Sequence, residues 1–533
     1  MARRSKKRPQ AERRPRNRQP KDWQWWVLAA GVPLMLCAGK LSLDLWSDEA
    51  YTLMFFVSRP FREIATDYSA PNNHVAYSLL LRPFYLVSDS NLMLRLPSLL
   101  FSAGALAMVF RMTRRGLSTE AGRGTVPFSL HENRDSPLVG SLAAAVSATL
   151  VLGLTQMFLG HTMQVRGYGL SIFLAAWLGD LAAARKTSWA TLGTTMLVGA
   201  VFLYTLPSNA LFLLPLGAAA VAWAAIRDRS WRAAVVTAGA WATACGLAAL
   251  AYLPIAEDVL KARGQPVAEP LWSAVGLTRQ VFSVATRDWL PLVPLVALGL
   301  VIWMRKVWKE PSREHAALPL VVLAGLVGPF LMTALLAARP FPRNYCPMLP
   351  FLAIGIGWPL AELVGAAGRL LRSRWTETAT AVVGMALLAT VALPRIASYP
   401  ARLAEVRRSR FAQDGYYNYY AAEFHPADVV AYLQATIPDG QSYLVCFSDA
   451  DHFALAHYFG RAGLPPTQLV EGSPPVIYVI APELADYHAL AAKFDLSADF
   501  LRALPLVQDF GYYRLQRCDA EVLSSSRRAL DVR

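Results

Sequence analysis

Along most of the first 396 positions, apolar residues run in long unbroken stretches instead of alternating with polar ones. Apolar stretches of about 16–23 residues with at most one charge recur, close to the length that carries a helix across a hydrocarbon core of about 30 Å. They predict spans at 24–43, 92–110, 137–159, 167–184, 188–206, 208–226, 233–255, 289–304, 316–338, 344–365 and 378–396. A turn at Pro207 separates the fifth from the sixth. Two longer polar intervals, 44–90 and 256–288, read as outer loops, the first with short amphipathic pieces. Backbone polar groups have no water to bond in lipid, so the spans must be helices.

Residues 397–533 have a different pattern. Helical stretches such as PADVVAYLQAT and PELADYHALAAKF are interspersed with the β-rich runs SYLVCF, PPVIYVIAP and GYYRLQRC. That succession predicts a small α/β domain. The expected organisation is a tail at 1–22, a membrane domain at 23–396 and the α/β domain at 397–533. The fold class is therefore mainly α and polytopic, with about eleven transmembrane helices.

Charge adds direction. Of 533 residues, 17% are charged and 55% hydrophobic, and the formal net charge is +15. Such an excess is compatible with nucleic acid, but its distribution is not. Ten of the 52 Lys and Arg residues lie in the first 21 positions, which read as a topological anchor touching anionic lipid. That segment lacks the form of a cleaved signal peptide. Each even-numbered span exits at a basic cluster: Arg111, Arg114 and Arg115; Arg185 and Lys186; Arg227 and Arg229; Arg305, Lys306 and Lys309; Arg369, Arg372 and Arg374. One orientation satisfies them all, with the N-terminus cytoplasmic and the α/β domain extracytoplasmic. No nucleic-acid partner is expected.

Of the five cysteines, Cys37, Cys245 and Cys346 fall in spans as packing residues. Cys446 and Cys518 end two strands in an oxidising compartment, where a disulfide and two buried thiols are both open. The run DGYYNYY, 414–420, reads as an interfacial aromatic belt, with carbohydrate stacking by Tyr416, Tyr417, Tyr419 and Tyr420 as the other reading.

Four segments carry candidate chemistry, all at outer span ends. LDLWSDEAYT places the adjacent acids Asp48 and Glu49 just beyond the first span. Acids at the mouth of a membrane bundle must be paired or hydrated. YSAPNNHVAYSLLLRPF sets Asn72, Asn73 and His74 before a helix expected to lie along the membrane surface. GHTMQVRGYGL brings Gln164, Arg166 and Tyr168 to the start of the fourth span, and ARPFPRNYCPMLP brings Arg339, Arg343 and Tyr345 to the tenth. Outer arginines depart from the positive-inside rule, and guanidinium forks suit phosphate. An acid pair and arginines at one membrane face suggest a single polar site. In SDADHFALAHYFG, Asp449, Asp451, His452 and His457 are spaced poorly for a metal.

These residues resemble the GT-C superfamily of polyprenyl-phosphate-sugar glycosyltransferases, in the branch of protein O-mannosyltransferases and the lipid A aminoarabinose transferase. The similar motifs are Asp48–Glu49 in the first outer loop, Asn73–His74 before an amphipathic helix, Arg166 and Tyr168 at the fourth span, and Arg343 and Tyr345 at a late span. Residues 92–115 resemble the family's second span, and the resemblance covers roughly 24–395. Val75 and Ala76 stand where many members have two prolines.

The resemblance implies a GT-C-like bundle in a bacterial plasma membrane, a polyprenyl-phosphate-sugar donor and a protein, lipid or glycan acceptor. Asp48 is expected as general base, with Glu49 holding it or sharing a divalent cation such as Mg or Mn. Arg166, Arg343 and Tyr345 are expected at the donor phosphate, and Asn73, His74, Gln164 and Tyr168 at the substrate. Direct displacement predicts inversion at the sugar carbon. A transporter or flippase of a lipid-linked or anionic substrate is the alternative; it would place polar groups nearer mid-bilayer.

Overall fold

The structure, a computed structural model, describes residues 22–71, 73–117, 138–184, 186–262, 269–309, 316–338, 340–370, 377–397, 425–447, 452–470, 475–482, 487–494, 497–510 and 513–518. The basic tail, Asn72, Arg339, the tyrosine-rich run at 414–420, Asp449 and Asp451 lie outside them.

Each predicted span contains a helix. The first is α1 (Asp22–Ala38). The first outer loop folds into α2 (Ser47–Thr52), a π-helical turn at Leu53–Val57, α3 (Phe61–Thr66) and α4 (Val75–Val87). The bundle continues through α5 (Asn91–Leu117), α6 (Leu138–Leu154), the short α7 (Gln156–His161), α8 (Tyr168–Ala182) and α9 (Trp189–Thr205). After Pro207 come α10 (Ala210–Asp228), α11 (Trp231–Tyr252) and α12 (Ala256–Ala262). Then follow α13 (Pro270–Thr286), α14 (Val293–Lys309), α15 (Ala317–Leu335), α16 (Leu349–Leu370) and α17 (Glu377–Ala397). Among the described residues, six helical segments are long and apolar enough by themselves to cross a membrane. The protein is polytopic and mainly α.

One interval departs from expectation. Residues 270–286, expected within a loop, form the full helix α13. Pro270 begins it, where a missing N–H costs nothing. Its apolar residues are broken by Thr278, Arg279 and Gln280, so no uncharged run marks it in the sequence.

Small residues let the bundle close. A Cβ on Gly357 of α16 would stand 2.4 Å from the Ala148 backbone nitrogen of α6. A Cβ on Gly299 of α14 would stand 2.0 Å from the Pro359 carbonyl oxygen of α16. α16 is thus held backbone to backbone on two sides. It follows the 3-10 segment Pro342–Met348, which carries Arg343.

The C-terminal domain is built on five strands: β1 (Tyr443–Phe447), β2 (Thr467–Gln468), β3 (Val476–Pro482), β4 (Leu506–Asp509) and β5 (Tyr513–Cys518). Their order is β2-β1-β3-β5-β4; β1 and β3 are parallel and the other pairs antiparallel. Helices α18 (Pro426–Thr436) and α19 (His452–Ala462) cover one face, against Tyr443, Val445 and Phe447. The other face packs on α20 (Tyr487–Phe494) and α21 (Ala498–Ala503) through Cys446, Val479 and Leu501. That division follows the two-residue alternation of strand side chains. Cys446 pairs across from Val479, and Cys518 from Ile477 on the far side of β3. Two strand spacings, about 10 Å, separate the thiols, and a disulfide needs Cα atoms within about 7 Å. The disulfide alternative therefore falls.

Candidate functional site

The two adjacent acids have separate environments. α2 starts at Ser47, and its first turn carries Asp48 and Glu49, where acids favour helix initiation. Glu49 turns inward and is fully buried. One oxygen accepts the Val165 amide at 2.6 Å. The other accepts the Trp46 amide at 2.8 Å and Arg95 at 3.0 Å. Arg95, also fully buried, donates in turn to the Leu43 and Asp44 carbonyls. A buried ion pair needs such additional hydrogen bonds to offset the desolvation of its charges. Both oxygens of Glu49 are committed, so it acts as a clamp between residues 43–49, α5 and the loop before Arg166.

Asp48 turns the other way and keeps 29% of its side chain exposed. Its Oδ2 lies 2.6 Å from Arg166 and 3.7 Å from Arg343. The Arg166 side chain is 2% exposed and that of Arg343 22%. Arg166 also lies 5.2 Å over the Tyr168 ring, and Arg343 4.9 Å over Phe341. These stacks fix two planar guanidiniums on one carboxylate.

Both arginines line a cavity of about 340 Å³. Its polar lining also includes Tyr68, His74, Tyr168, Ser208 and Asn344, and its apolar lining includes Leu206, Leu211, Val259, Leu260 and Leu336. His74 Nδ1 accepts the Gly167 amide at 2.7 Å, which places its proton on Nε2. Burial, reinforced by Arg166 and Arg343, holds the His74 pKa well below its ordinary range, so the ring is neutral. Its edge meets Tyr168 at 5.0 Å. Burial also pushes the Tyr68 phenol up to about 12, leaving it a proton donor.

The other expected residues sit behind this surface. Asn73 is buried, donating to the Ile64 and Asp67 carbonyls at 3.0 and 2.6 Å and accepting from Ser78. Gln164 is buried beside His161, with 3.2 Å between its Nε2 and the ring Nδ1. Tyr345 is buried against Phe330 at 4.7 Å and shares a hydrogen bond with Thr333. None of these three lines the cavity.

The acid pair does not fit a shared divalent cation. Glu49 has its lone pairs directed at three N–H donors, and Asp48 faces two guanidiniums. Among the described residues no group of three His, Cys, Asp or Glu side chains gathers.

Sequence reading did not single out Arg95, Tyr68, Ser208 or Asn344. Two carried usable signals. Arg95 interrupts an apolar run, where an unpaired cation is costly. Ser208 follows the Pro207 turn, which the basic clusters assign to the same face as Arg166 and Arg343.

No family model matches the chain, and no curated protein matches it. Two solved structures align over nearly its full length, both of ArnT from Cupriavidus metallidurans. The one bound to undecaprenyl phosphate is 13% identical, with 93% of this chain and 98% of that chain covered and a TM-score of 0.48. The apo state is also 13% identical, covering 94% and 98%, with a TM-score of 0.46.

Proposed function

We propose that the protein is a membrane glycosyltransferase that moves a sugar from a polyprenyl-phosphate carrier to an acceptor hydroxyl. The supporting observation is Asp48 held between Arg166 and Arg343, the two cations of an otherwise largely apolar cavity. Such a cavity suits a lipid phosphate: guanidiniums for the phosphate and leucines and valine for the first isoprene units. The motif resemblance at Asp48, His74, Arg166 and Arg343 supports the same reading. The positive-inside pattern supports this end of the bundle and the α/β domain lying outside the cytoplasm, and the motif resemblance implies a bacterial plasma membrane.

In this mechanism the acceptor hydroxyl approaches the exposed side of Asp48. Its oxygen attacks the anomeric carbon while Asp48 takes its proton. The bond from that carbon to the phosphate oxygen breaks on the opposite face, which inverts the centre. The carrier phosphate leaves with the bonding electrons, and Arg166 and Arg343 stabilise its growing charge, usually the larger contribution. Neutral His74, with its proton on Nε2, adds an uncharged donor on the cavity wall. Glu49 takes no proton and holds the segment in place. The polar groups gather at one end of the bundle, which favours transfer over transport.

The test is transfer of a labelled sugar from synthetic polyprenyl-phosphate donors to envelope acceptors, using membranes that contain the full chain. Asp48→Asn should abolish transfer while the protein still folds. Unchanged transfer would end the general-base role.

A further inference from the structure

Residues 43–49 are gripped from two sides, and only one grip belongs to the membrane bundle. From within, Arg95 holds the Leu43 and Asp44 carbonyls and the Glu49 carboxylate. From outside, the C-terminal domain supplies a second set of bonds. The Tyr458 hydroxyl of α19 accepts the fully buried Leu45 amide at 2.8 Å. The same oxygen accepts Asn91 Nδ2 from the start of α5 at 3.1 Å. Asp44 Oδ2 accepts the Ala427 amide at 2.9 Å, satisfying one of the open N–H groups in the first turn of α18. Asp44 Oδ1 lies 3.4 Å from Asn91 Nδ2.

Apolar contacts close the joint. Phe453 of α19 meets the Tyr51 ring edge-on at 4.7 Å and Phe55 at 5.7 Å. Trp46 packs on the hydrophobic core of the C-terminal domain. Tyr51 belongs to α2, three residues from Asp48, so the domain rests directly on the helix that presents the carboxylate.

We infer that the C-terminal domain is a positioning part of the active site, with Tyr458 and Asp44 as the residues that hold the Asp48 segment in register with the two arginines. This rests on the glycosyltransferase reading. Without the Tyr458 hydroxyl and the Asp44 carboxylate, the segment before α2 would lose these hydrogen bonds to the C-terminal domain and keep those made through Arg95 and Glu49. The buried Leu45 amide and the part-buried Ala427 amide would lose their acceptors, a loss that is costly above all at Leu45. A shift of about 1 Å in a reacting group can cost on the order of a hundredfold in rate. Burial raises the Asp44 carboxyl pKa, against the lowering influence of the Ala427 amide and Tyr458.

The experiment uses the purified full chain in nanodiscs with two readouts. The first is amide hydrogen exchange at 43–52 and 426–430. The second is steady-state transfer from a synthetic polyprenyl-phosphate sugar. Tyr458→Phe and Asp44→Ala should speed exchange at Leu45 and Ala427 respectively. Each should lower kcat about tenfold, with the donor KM unchanged within about twofold, as expected for misplacement of the base alone. Asp44→Asn keeps an oxygen for Ala427 and should restore most of the rate. Faster exchange with unchanged kcat overturns the positioning role, and unchanged exchange overturns the joint itself. If the unaltered protein transfers no sugar, the glycosyltransferase reading fails, and exchange still decides whether the domain holds the segment.

Discussion

Arg166 donates to Asp48 at 2.6 Å although 118 residues separate them. The bond ties α2 to the loop before α8, and a second cation, Arg343, approaches the same carboxylate oxygen from the segment before α16. Three distant stretches of chain thus converge on one oxygen. In the proposed reaction an incoming phosphate would compete with that carboxylate for both guanidiniums, which would link donor binding to release of the base.

The linkage gives opposite signs for two measurements on Asp48→Asn. Transfer should fall by about 10²–10⁴, the usual worth of a positioned proton acceptor. Binding of polyprenyl phosphate should hold or tighten, because the guanidiniums lose an internal competitor. Titration of the variant in nanodiscs checks this; clearly weaker binding contradicts the proposed competition.

Arg343 is the accessible half of the cation pair. Arg343→Gln should weaken polyprenyl-phosphate binding by roughly tenfold or more, the scale of one charge-assisted contact, with little change in thermal stability. Arg166 is buried, and Arg166→Gln should impair both. Equal binding in the wild type and Arg343→Gln would remove Arg343 from the phosphate site.

Glu49→Gln and Arg95→Leu should behave as folding variants. Removing one partner of a buried pair costs about 3–5 kcal/mol. The expected result is low yield of folded protein at ordinary temperature. A Glu49→Gln protein with wild-type melting and no activity would instead make Glu49 a reacting group.

How much of this was visible beforehand differs residue by residue. The helices were legible because lipid demands long, nearly uncharged apolar runs, and α13 escaped because the adjacent polar residues Thr278, Arg279 and Gln280 split its run at the middle. Asp48, Arg166 and Arg343 stood out as charges where topology disfavours them. For Glu49 the sequence left two readings open, holding Asp48 or sharing a cation with it, since the choice depends on which way each side chain leaves α2 and on Arg95, 46 residues away. The burial of Tyr345 against Phe330 was not legible for a related reason: a tyrosine near an outer arginine looks alike in sequence whether it faces a cavity or another ring. The joint at Tyr458 links residues 413 apart and leaves no local pattern.

Acidification should expose one buried imidazole in the α/β domain. Burial, with Arg461 nearby, lowers the His457 pKa to about 4. In the unfolded chain this group takes its proton near 6.5. Between those values the unfolded state binds more protons, so stability is full above about pH 7 and declines as pH falls, by up to about 1.4 kcal/mol per unit. His74 acts in the same direction, and the raised carboxyl of Asp44 in the opposite one. His457→Leu should therefore lose less melting temperature between pH 7.5 and 5 than the wild type. Identical losses would show that His457 takes up its proton at the same pH in the folded and unfolded states.

The glycine contacts of α16 bear on how this protein can vary. With hydrogen atoms alone separating the Gly357 and Ala148 backbones, and likewise Gly299 and Pro359, neither seam can absorb an extra methyl group without forcing two helices apart. Saturation mutagenesis scored on folded yield should therefore show Gly299 and Gly357 as near-invariant positions, while lipid-facing neighbours such as Leu298 and Val301 accept many apolar substitutes. The arginine that meets Asp48 hangs from the end of that unyielding spine, so drift elsewhere in the bundle can reshape the cavity wall while leaving its charge in place.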